Sequence, residues 1–483
     1  MADEKKLREF FPETTVYKAP DITAMFKSAS IPSFMRDWIL KKKAGANGRI
    51  SDMTGLQEYV SAIVPNRDAL LALKDEAREL GASRKFLTRI EVEFDSRADN
   101  FTFAIPDLGL RHSDTLIPGH VWDRIKSEVI ATGCGWGLVQ LGYQPPGQGH
   151  KNGHILLHSY RNFCPYKVDL AAFKEARAAF SAREWLEIIF GALDYNPHAF
   201  EDDRQRITFL SRILPFVEAR LNLVELAPKG TGKSYIFGRV GKYGWLVSGG
   251  TVSRAKLFGD LNGRAPGMIA SNDFVALDEI QSIQFSDPGE LQGGLKAYME
   301  SGEVTVGKTR ITGKAGVILL GNIPAEDMDE SKDMFKVLPP IFHESALLDR
   351  FHGFISGKHI PRMNQDMILR GWGLNSEYFC EILHKLREPA EALRFRSIVE
   401  SLISHPANAD TRDTEAVLRL SAAWLKLLFP HIKSADDISP EEFSKWCLEP
   451  AVNMRSIIRK QLARIDPLEY GSKQMASYEA AGR

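Results

Sequence analysis

The chain has 483 residues, and its 62 lysine and arginine residues balance its 62 aspartate and glutamate residues, so the formal net charge is zero. A chain of this length holds about two to four domains. The neutral balance excludes a global basic field, so any nucleic-acid partner must be met by a local basic patch. The four cysteines form no C-x-x-C pair, which indicates reduced thiols and argues against a zinc site. With no signal-peptide core and no apolar run of membrane-spanning length, the sequence predicts a cytoplasmic protein without a membrane partner.

The N-terminal part of the chain predicts a mixed α+β domain. Residues 1–30 are expected to be weakly ordered, and a helix is expected from Ser33 to a run of three lysines that ends at Lys43. Alternating polar and apolar residues at 88–94 and 100–105 predict a β-hairpin, and residues 145–153 predict a loop by composition. Helical spacing follows over residues 169–190, where the apolar stripe is expected to be core: Phe173, Ala176, Phe180 and Trp185.

A Gly-rich turn lies between the apolar run 221–226 and a helix-compatible segment, which is the context that a phosphate-binding loop requires. Glycines let the backbone wrap closely around phosphates, and the N–H groups of the turn point at negative charge. Lys233 is expected to reach the β and γ phosphates of ATP, and Ser234 to ligate Mg²⁺. The first glycine of the usual pattern is replaced by Ala227. The predicted nucleotide-binding residues are Pro228, Lys229, Gly230, Thr231, Gly232, Lys233, Ser234 and Tyr235.

Two further apolar strands end in polar residues. The strand 274–277 leads into Asp278, expected in the Mg²⁺ shell, and Glu279, expected to polarise the attacking water as general base. The strand 316–320 leads to Asn322, which suits a residue that orients water beside the γ-phosphate. Ligands of open α/β sheets bind at these carboxyl ends.

This succession of motifs, followed by Asp349-Arg350-Phe351, resembles the AAA+ ATPases. The resemblance implies an α/β P-loop core with a helical lid. It also implies that Arg350 completes the ATP site of the neighbouring subunit in a ring, a hexamer or stacked rings. The segment 410–420 resembles the second sensor helix of MCM replicative helicases, which implies that Arg412 contacts nucleotide.

An insertion between the acidic pair and Asn322 predicts a helix at 291–301 and a hairpin at 303–314 that turns near Gly307. The hairpin resembles the one that points into the pore of MCM and Lon-type AAA+ rings. Basic hairpins around a pore can follow a phosphate backbone without reading bases. The predicted DNA contacts, to duplex DNA and independent of sequence, are Lys308, Arg310 and Lys314.

The whole chain from about residue 30 to residue 465 resembles the BrxL family, Lon-like AAA+ proteins of bacterial BREX phage-defence systems. The residues that carry this resemblance are 34–40, 184–186, 214–235, 248–250, 255–258 and 348–353. The resemblance implies other phage-defence proteins as partners. Members of the family usually continue into a Lon-like domain with a Ser-Lys pair. Too few residues follow Met454 for such a domain, so we expect no protease activity from this chain.

The expected domains are a weakly ordered N-terminus, an α+β DNA-binding domain, the AAA+ core, a helical lid with C-terminal helices, and a flexible tail, at residues 1–30, 31–200, 201–362, 363–470 and 471–483. The expected function is an ATP-dependent protein that translocates on DNA or clamps it in phage defence. Two alternatives stay open. One is a Lon-type protein unfoldase, and the other is a nucleotide-gated DNA-binding scaffold with little ATP turnover.

Overall fold

The structure is a computed structural model that describes residues 4–29, 31–95, 98–132, 135–147, 153–259, 267–472 and 474–482. The chain divides into two compact units. The large unit contains Met1–Ala24, Pro32–Phe34 and Val168–Arg483, and the small unit contains Met25–Ile31 and Met35–Lys167. Every helix among the described residues is too short or too polar to cross a membrane.

The helices are α1 (Glu4–Phe10), α2 (Pro20–Ser28), α3 (Ser33–Lys43), α4 (Met53–Ile63), α5 (Leu70–Glu79), α6 (Gly119–Thr132), α7 (Leu170–Ala178), α8 (Ala182–Ala192), α9 (Asp203–Leu210), α10 (Leu214–Val217), α11 (Lys233–Tyr235), α12 (Arg254–Phe258), α13 (Met268–Ser271), α14 (Pro288–Ser301), α15 (Ser345–Leu348), α16 (Ser376–Lys385), α17 (Pro389–Leu402), α18 (Thr411–Leu428), α19 (Pro440–Phe443), α20 (Glu449–Ile465) and α21 (Pro467–Tyr470).

The strands are β1 (Thr15–Lys18), β2 (Phe86–Arg89), β3 (Glu91–Asp95), β4 (Asn100–Ala104), β5 (Thr115–Leu116), β6 (Trp136–Gln144), β7 (His154–Asn162), β8 (Leu223–Ala227), β9 (Gly244–Ser248), β10 (Thr251–Val252), β11 (Phe274–Asp278), β12 (Gln284–Phe285), β13 (Glu303–Val306), β14 (Thr309–Thr312), β15 (Gly316–Asn322), β16 (Gly353–Ser356), β17 (Gly371–Leu374), β18 (Ile403–Ser404) and β19 (Glu479–Ala480).

A five-stranded parallel sheet forms the centre of the large unit, with strand order β16-β8-β15-β11-β9. Every residue of β8 and β11 is buried. Continuous buried apolar runs of this kind belong to parallel sheets that are covered on both faces. The three strands predicted from the sequence are confirmed as the neighbours β8, β15 and β11. Because the strands are parallel, the segments that follow them all leave from the same edge of the sheet.

The prediction of a weakly ordered N-terminus is wrong for the described residues 4–29, which form α1, β1 and α2. Strand β1 pairs antiparallel with β17, so that Thr15 lies opposite Leu374. The Phe11 side chain is buried against Phe173 and Trp185. The segment is therefore ordered by contacts of a few apolar residues. The partners in these contacts come from distant parts of the chain.

The predicted helical stretch 169–190 is confirmed as two helices, α7 and α8, separated by a short turn, and the side chain of Ser181 caps the start of α8. Phe173, Phe180 and Trp185 are buried, as expected of core residues, and Trp185 Nε1 donates a hydrogen bond to the Leu427 carbonyl. Contacts therefore join this stretch to the large unit, although the sequence-based boundary lay near residue 200.

The small unit has a four-stranded sheet of order β2-β6-β7-β5 and the separate hairpin β3–β4. The predicted hairpin is confirmed by antiparallel pairing, with Glu91 opposite Ala104, whereas Arg89 belongs to β2 and pairs with Trp136 of β6. Its turn and the predicted loop 145–153 lie partly outside the described residues, as does Cys134. In the lysine run, the ammonium group of Lys43 lies 3.9 Å from the centre of the Tyr59 ring.

The C-terminal part of the large unit is mostly helical, as predicted, and α20 packs against the edge strand β16. The segment expected to be a flexible tail instead contains β19, which pairs antiparallel with β18. Tyr478, just before β19, is buried. The architecture is thus an α/β core with a helical C-terminal region, preceded by a mixed α+β unit.

Candidate nucleotide-binding site

The predicted phosphate loop follows β8 and ends where α11 begins at Lys233. Gly230 and Gly232 have φ angles of 84° and 82°, in the left-handed region that favours glycine. A Cβ atom on Gly232 would lie 3.0 Å from the Tyr195 hydroxyl oxygen. The backbone conformation therefore favours glycine at both positions, and at Gly232 a side chain would also be crowded by Tyr195.

Three carbonyl groups of the loop are held by partners in the protein. Arg212 Nη1 donates to the Thr231 carbonyl at 2.8 Å, and the Met363 amide donates to the Gly230 carbonyl at 2.8 Å. The Thr231 hydroxyl donates to the Pro228 carbonyl at 3.4 Å. Because the N–H and C=O of one trans peptide point in opposite directions, fixing these carbonyls turns the following N–H groups away from the protein. This orientation suits an anion.

Arg212 was not predicted as a site residue. It is fully buried, and its guanidinium forms an ion pair of 2.6 Å with Glu225 in β8, which is also fully buried. This pairing satisfies two charges that would otherwise be costly to bury. An arginine within the apolar sequence around Leu210 and Ile213 is the signal that could have identified a buried, paired charge.

Ala227, at the atypical position of the loop pattern, lies against the residue that follows the edge strand β16. A Cβ atom on Gly357 would lie 2.1 Å from the Ala227 Cβ and 2.7 Å from its Cα. Because Gly357 has no side chain, the Ala227 side chain fits into this space. The start of the loop rests directly on the backbone of the neighbouring strand.

Lys233 and Asn322 meet at the carboxyl edge of the sheet. Lys233 Nζ donates to Asn322 Oδ1 at 3.1 Å. Burial lowers the pKa of Lys233, and the nearby carboxylates of Glu225, Asp278 and Glu279 act in the opposite direction. Gln281, which was not predicted, donates through Nε2 to the Asn322 carbonyl at 2.7 Å. The asparagine at the end of β15 is thereby held beside the loop lysine.

Ser234 and Asp278 form the second contact between loop and sheet. The Ser234 hydroxyl donates to Asp278 Oδ2 at 2.5 Å, and Asp278 is buried. A hydroxyl and a carboxylate oxygen that converge in this way fit the ligand chemistry of Mg²⁺, which prefers oxygen ligands. These two residues are the ones that would hold the ion.

Glu279 follows Asp278 with an exposed side chain and an unusual backbone. Its φ and ψ angles are 48° and 49°, the left-handed region that few residues other than glycine adopt. Its carbonyl accepts hydrogen bonds from the amide and the hydroxyl of Ser282. Such strained positions cluster at functional sites. Glu279 is therefore held at the carboxyl edge of the sheet with its carboxylate facing outward.

Arg350 and Arg412 lie together, at the other edge of the sheet. Arg412 Nη1 donates to Asp349 Oδ2 at 2.9 Å, and Arg350 Nε lies 3.0 Å from Glu300 Oε2. The segment after Arg350 starts β16, where the His352 amide donates to the carbonyl of Asn222, the residue before β8. The phosphate loop begins at the opposite end of β8, which at about 3.3 Å per residue lies roughly 17 Å away.

Asp349 is the buried carboxylate at the centre of this arginine cluster. The fully buried Arg455 donates to its carbonyl and forms a 2.6 Å ion pair with its carboxylate. Burial raises the pKa of Asp349, but the charges of Arg455 and Arg412 and their hydrogen bonds outweigh burial, so the net pKa is lowered. Asp349 therefore stays ionised and holds Arg412 in place.

The predicted hairpin is confirmed as β13–β14, with Thr305 opposite Arg310 and the turn at Gly307, whose φ is 60°. Val304 and Val306 are buried on one side. The three basic residues proposed to contact DNA are exposed, and Arg310 pairs across the hairpin with Glu303: Lys308, Arg310 and Lys314.

Tyr235, predicted among the nucleotide-binding residues, turns its hydroxyl to a buried polar cluster. It donates to Asp194 Oδ2 at 2.8 Å, and the Ser33 hydroxyl donates to the same oxygen at 2.7 Å. Asp194 also pairs with the buried Lys18 at 2.9 Å. The side chain of Tyr235, the last residue of α11, thus joins this helix to the buried cluster of Lys18, Ser33 and Asp194.

A phosphate loop after β8, an acidic pair at the end of β11 and an asparagine ending β15 define an α/β protein with an AAA+-type P-loop ATPase core. Residues 155–476 match the family "Lon-like protease BrxL-like, ATPase domain", and residues 9–143 match "BREX system Lon protease-like protein BrxL N-terminal". The chain therefore belongs to the BrxL family, which confirms the resemblance found in the sequence.

Two curated relatives are each named Lon-like protease BrxL. One, from Escherichia coli O9:H4 (strain HS), is 27% identical over 471 residues, and the other, from Bacillus cereus (strain H3081.97), is 27% identical over 475 residues. Each alignment covers 96% of this chain but only 65% and 67% of the two relatives, respectively. The chain thus spans about two thirds of the length of these relatives.

Proposed function

We propose that this chain binds ATP with Mg²⁺ and hydrolyses it. The observation that carries the proposal is the convergence of Lys233 with Asn322 and of Ser234 with Asp278 at one edge of the sheet. Bound Mg²⁺ would neutralise charge on the phosphates. Lys233 would bind the β and γ phosphates, and Asn322 would orient water. Glu279 would accept the proton of the attacking water.

The chain acts in a ring, a hexamer or stacked rings, in which Arg350 and Arg412 reach the ATP of the next subunit. The support is topological. Both arginines lie near the amino end of β16, which pairs in parallel with β8. The phosphate loop instead follows the carboxyl end of β8. An arginine side chain is too short to cross that distance within one subunit. A neighbouring subunit supplies the missing cation at each site.

The ring binds duplex DNA without regard to sequence and translocates on it or clamps it. The exposed cations of the hairpin, Lys308, Arg310 and Lys314, support this proposal. Lysine and arginine contacts to phosphates carry affinity but no base identity. A hairpin tip made of Gly307 and Lys308 lacks the aromatic side chain that would favour protein unfolding. Membership of the BrxL family supports a role in phage defence, with other defence proteins as partners.

Phosphate release and assembly can be measured on the same preparation. We expect steady release from ATP and Mg²⁺ in the wild type, loss in Lys233→Ala, and no change in Lys336→Ala, which alters an exposed lysine of the same unit. Mass photometry should show oligomers, and a random-sequence duplex should bind to them. Absence of Lys233-dependent release from a protein that forms rings would contradict hydrolysis and favour the scaffold alternative.

A further inference from the structure

Glu300 contacts both arginines of the cluster. Its Oε2 lies 3.0 Å from Arg350 Nε and 3.7 Å from Arg412 Nη2. The Glu300 side chain is 57% exposed, whereas that of Arg350 is 17% exposed. One carboxylate thus lies between two guanidinium groups, whose like charges repel each other when it is absent. Both contacts are ion pairs without hydrogen-bond geometry, so Glu300 acts on the two guanidinium groups through its charge.

A second ion pair joins the same helix to the segment before Arg350. Lys296, one turn earlier in α14, lies 2.9 Å from Glu344, the residue that precedes α15. Side chains of α14 therefore hold the segment 344–350 at both of its ends. A shift of α14 would move Arg350 with it.

Helix α14 leads directly into the basic hairpin. Only Gly302 separates α14 from β13, and the Gly313 amide donates to the Gly302 carbonyl at 3.0 Å. Near the end of the helix, the buried Tyr298 hydroxyl donates to the Ala315 carbonyl at 2.7 Å. Both strands of the hairpin are thus tied to the end of α14, and the helix and the hairpin form one connected arm.

We propose that Glu300 is a positioning residue that aims Arg350 and Arg412 at the nucleotide of the neighbouring subunit. Glu300 lies on the arm that carries the hairpin. The position of both arginines therefore depends on what the hairpin binds. Binding of DNA by Lys308 and Arg310 is thereby coupled to ATP hydrolysis. This inference rests on the proposed function, namely hydrolysis completed between subunits.

The test compares Glu300→Gln with Glu290→Gln, a matched change of an exposed glutamate on the same helix that lies 3.5 Å from Arg254. We expect Glu300→Gln to lower kcat by about 10-fold to 100-fold, since small misplacements of a catalytic group cost this much. The KM for ATP should stay within about twofold, because the phosphate loop is untouched. A random-sequence duplex should change kcat in the wild type and in Glu290→Gln, but not in Glu300→Gln.

A double variant separates positioning from a general structural effect. In an Arg350→Ala background, Glu300→Gln should cause a smaller loss than it does in the wild type, because only Arg412 is left for Glu300 to position. If Glu300→Gln fails to form rings, Glu300→Asp keeps the charge on a shorter side chain and should give an intermediate kcat with DNA dependence retained.

Three results would overturn the inference. The first is turnover of Glu300→Gln at the wild-type rate when Arg350→Ala is inactive. The second is a loss on Glu300→Gln that has the same factor in the Arg350→Ala background as in the wild type. The third is turnover of the wild-type protein that does not respond to DNA. Normal turnover in Arg350→Ala is a different result. It would instead contradict the proposed hydrolysis between subunits.

Discussion

The Ser234 hydroxyl donates a 2.5 Å hydrogen bond to Asp278 Oδ2, across 44 positions of the sequence. The contact joins the first turn of α11 to the end of β11. The loop and the sheet thus bring one hydroxyl oxygen and one carboxylate oxygen together at the carboxyl edge. The pair is the structural basis for the expected dependence on Mg²⁺.

Asp278→Asn should raise the Mg²⁺ concentration needed for half-maximal phosphate release by about tenfold or more, since it removes the carboxylate charge from the ion's shell. A Mg²⁺ titration at saturating ATP measures this. Asp327→Asn, which changes an acidic residue outside the site, serves as the control. An unchanged titration in Asp278→Asn would remove this residue from the metal site.

Glu279→Gln should bind ATP and Mg²⁺ but hydrolyse ATP slowly, because the loop and the metal carboxylate remain while the base is lost. General-base losses are roughly 10²-fold or more. Fluorescent-nucleotide binding and phosphate release, measured together, check both parts. Glu326→Gln, at an exposed glutamate outside the acidic pair, should behave as wild type. Turnover of Glu279→Gln within about threefold of wild type would exclude the role as base.

Arg350→Ala should lower hydrolysis by about 10³-fold or more, the usual effect of losing an arginine finger, while nucleotide binding through Lys233 is partly retained. Mixing it with Lys233→Ala protein should restore some activity, since an interface can then combine an intact loop with an intact arginine. Arg464→Ala removes an exposed arginine of α20 and should have little effect. Lack of rescue in mixed rings that demonstrably form would argue against action between subunits.

Lys308→Ala combined with Arg310→Ala should weaken binding of all duplex sequences about equally. The slope of log affinity against log salt should fall by about one for each phosphate that the variant no longer neutralises. The contribution of Arg310 is reduced by its pairing with Glu303. A matched double change of exposed lysines, Lys332→Ala with Lys336→Ala, should leave the slope unchanged. Should the hairpin variant keep both affinity and slope, the small unit becomes the leading candidate for DNA contact.

A buried charge cluster gives the large unit a pH dependence. The Lys242 ammonium pairs with both Glu377 and Glu381, and all three are buried. One cation balances only one of the two carboxylates. Burial, aided by the Glu381 charge, raises the pKa of Glu377 from 4.5 to about 8, against the pull of Lys242. The stability contributed by the retained proton is complete below about pH 4.5 and is lost as the pH rises through about 8.

Glu377→Gln should therefore be more stable than the wild type at pH 9, and this advantage should shrink toward pH 6, because glutamine resembles the protonated acid. Urea unfolding midpoints at the two pH values measure the difference. Glu388→Gln, at an exposed glutamate paired with Lys385, is the control. An advantage of Glu377→Gln that is equal at both pH values would show that Glu377 is already ionised.

The local motifs of the site could be predicted from the sequence, whereas the residues that support them could not. The loop, the acidic pair and Asn322 each follow an apolar strand, so their positions depend on local patterns. Arg212 and Gln281 act through single hydrogen bonds to Thr231 and Asn322, and no periodic pattern marks such contacts.

The N-terminus illustrates the same limit. Its order depends on β17, which lies more than 300 residues away in the sequence, so nothing local predicts it. The grouping of Arg412 with Arg350 likewise depends on Asp349, a partner 63 positions away. Sequence patterns identified both arginines but not their proximity.

The anchored carbonyls of the phosphate loop determine when the entropic cost of ordering this loop arises. Thr231 and Gly230 are bound to Arg212 and Met363 in the folded chain, so the loop loses its conformational freedom during folding and not when nucleotide arrives. Affinity for nucleotide should then depend on the buried ion pair of Arg212 and Glu225, two residues outside the loop. A substitution at Glu225, beneath the loop, should therefore weaken binding by letting the loop fluctuate, without changing any residue of the loop itself.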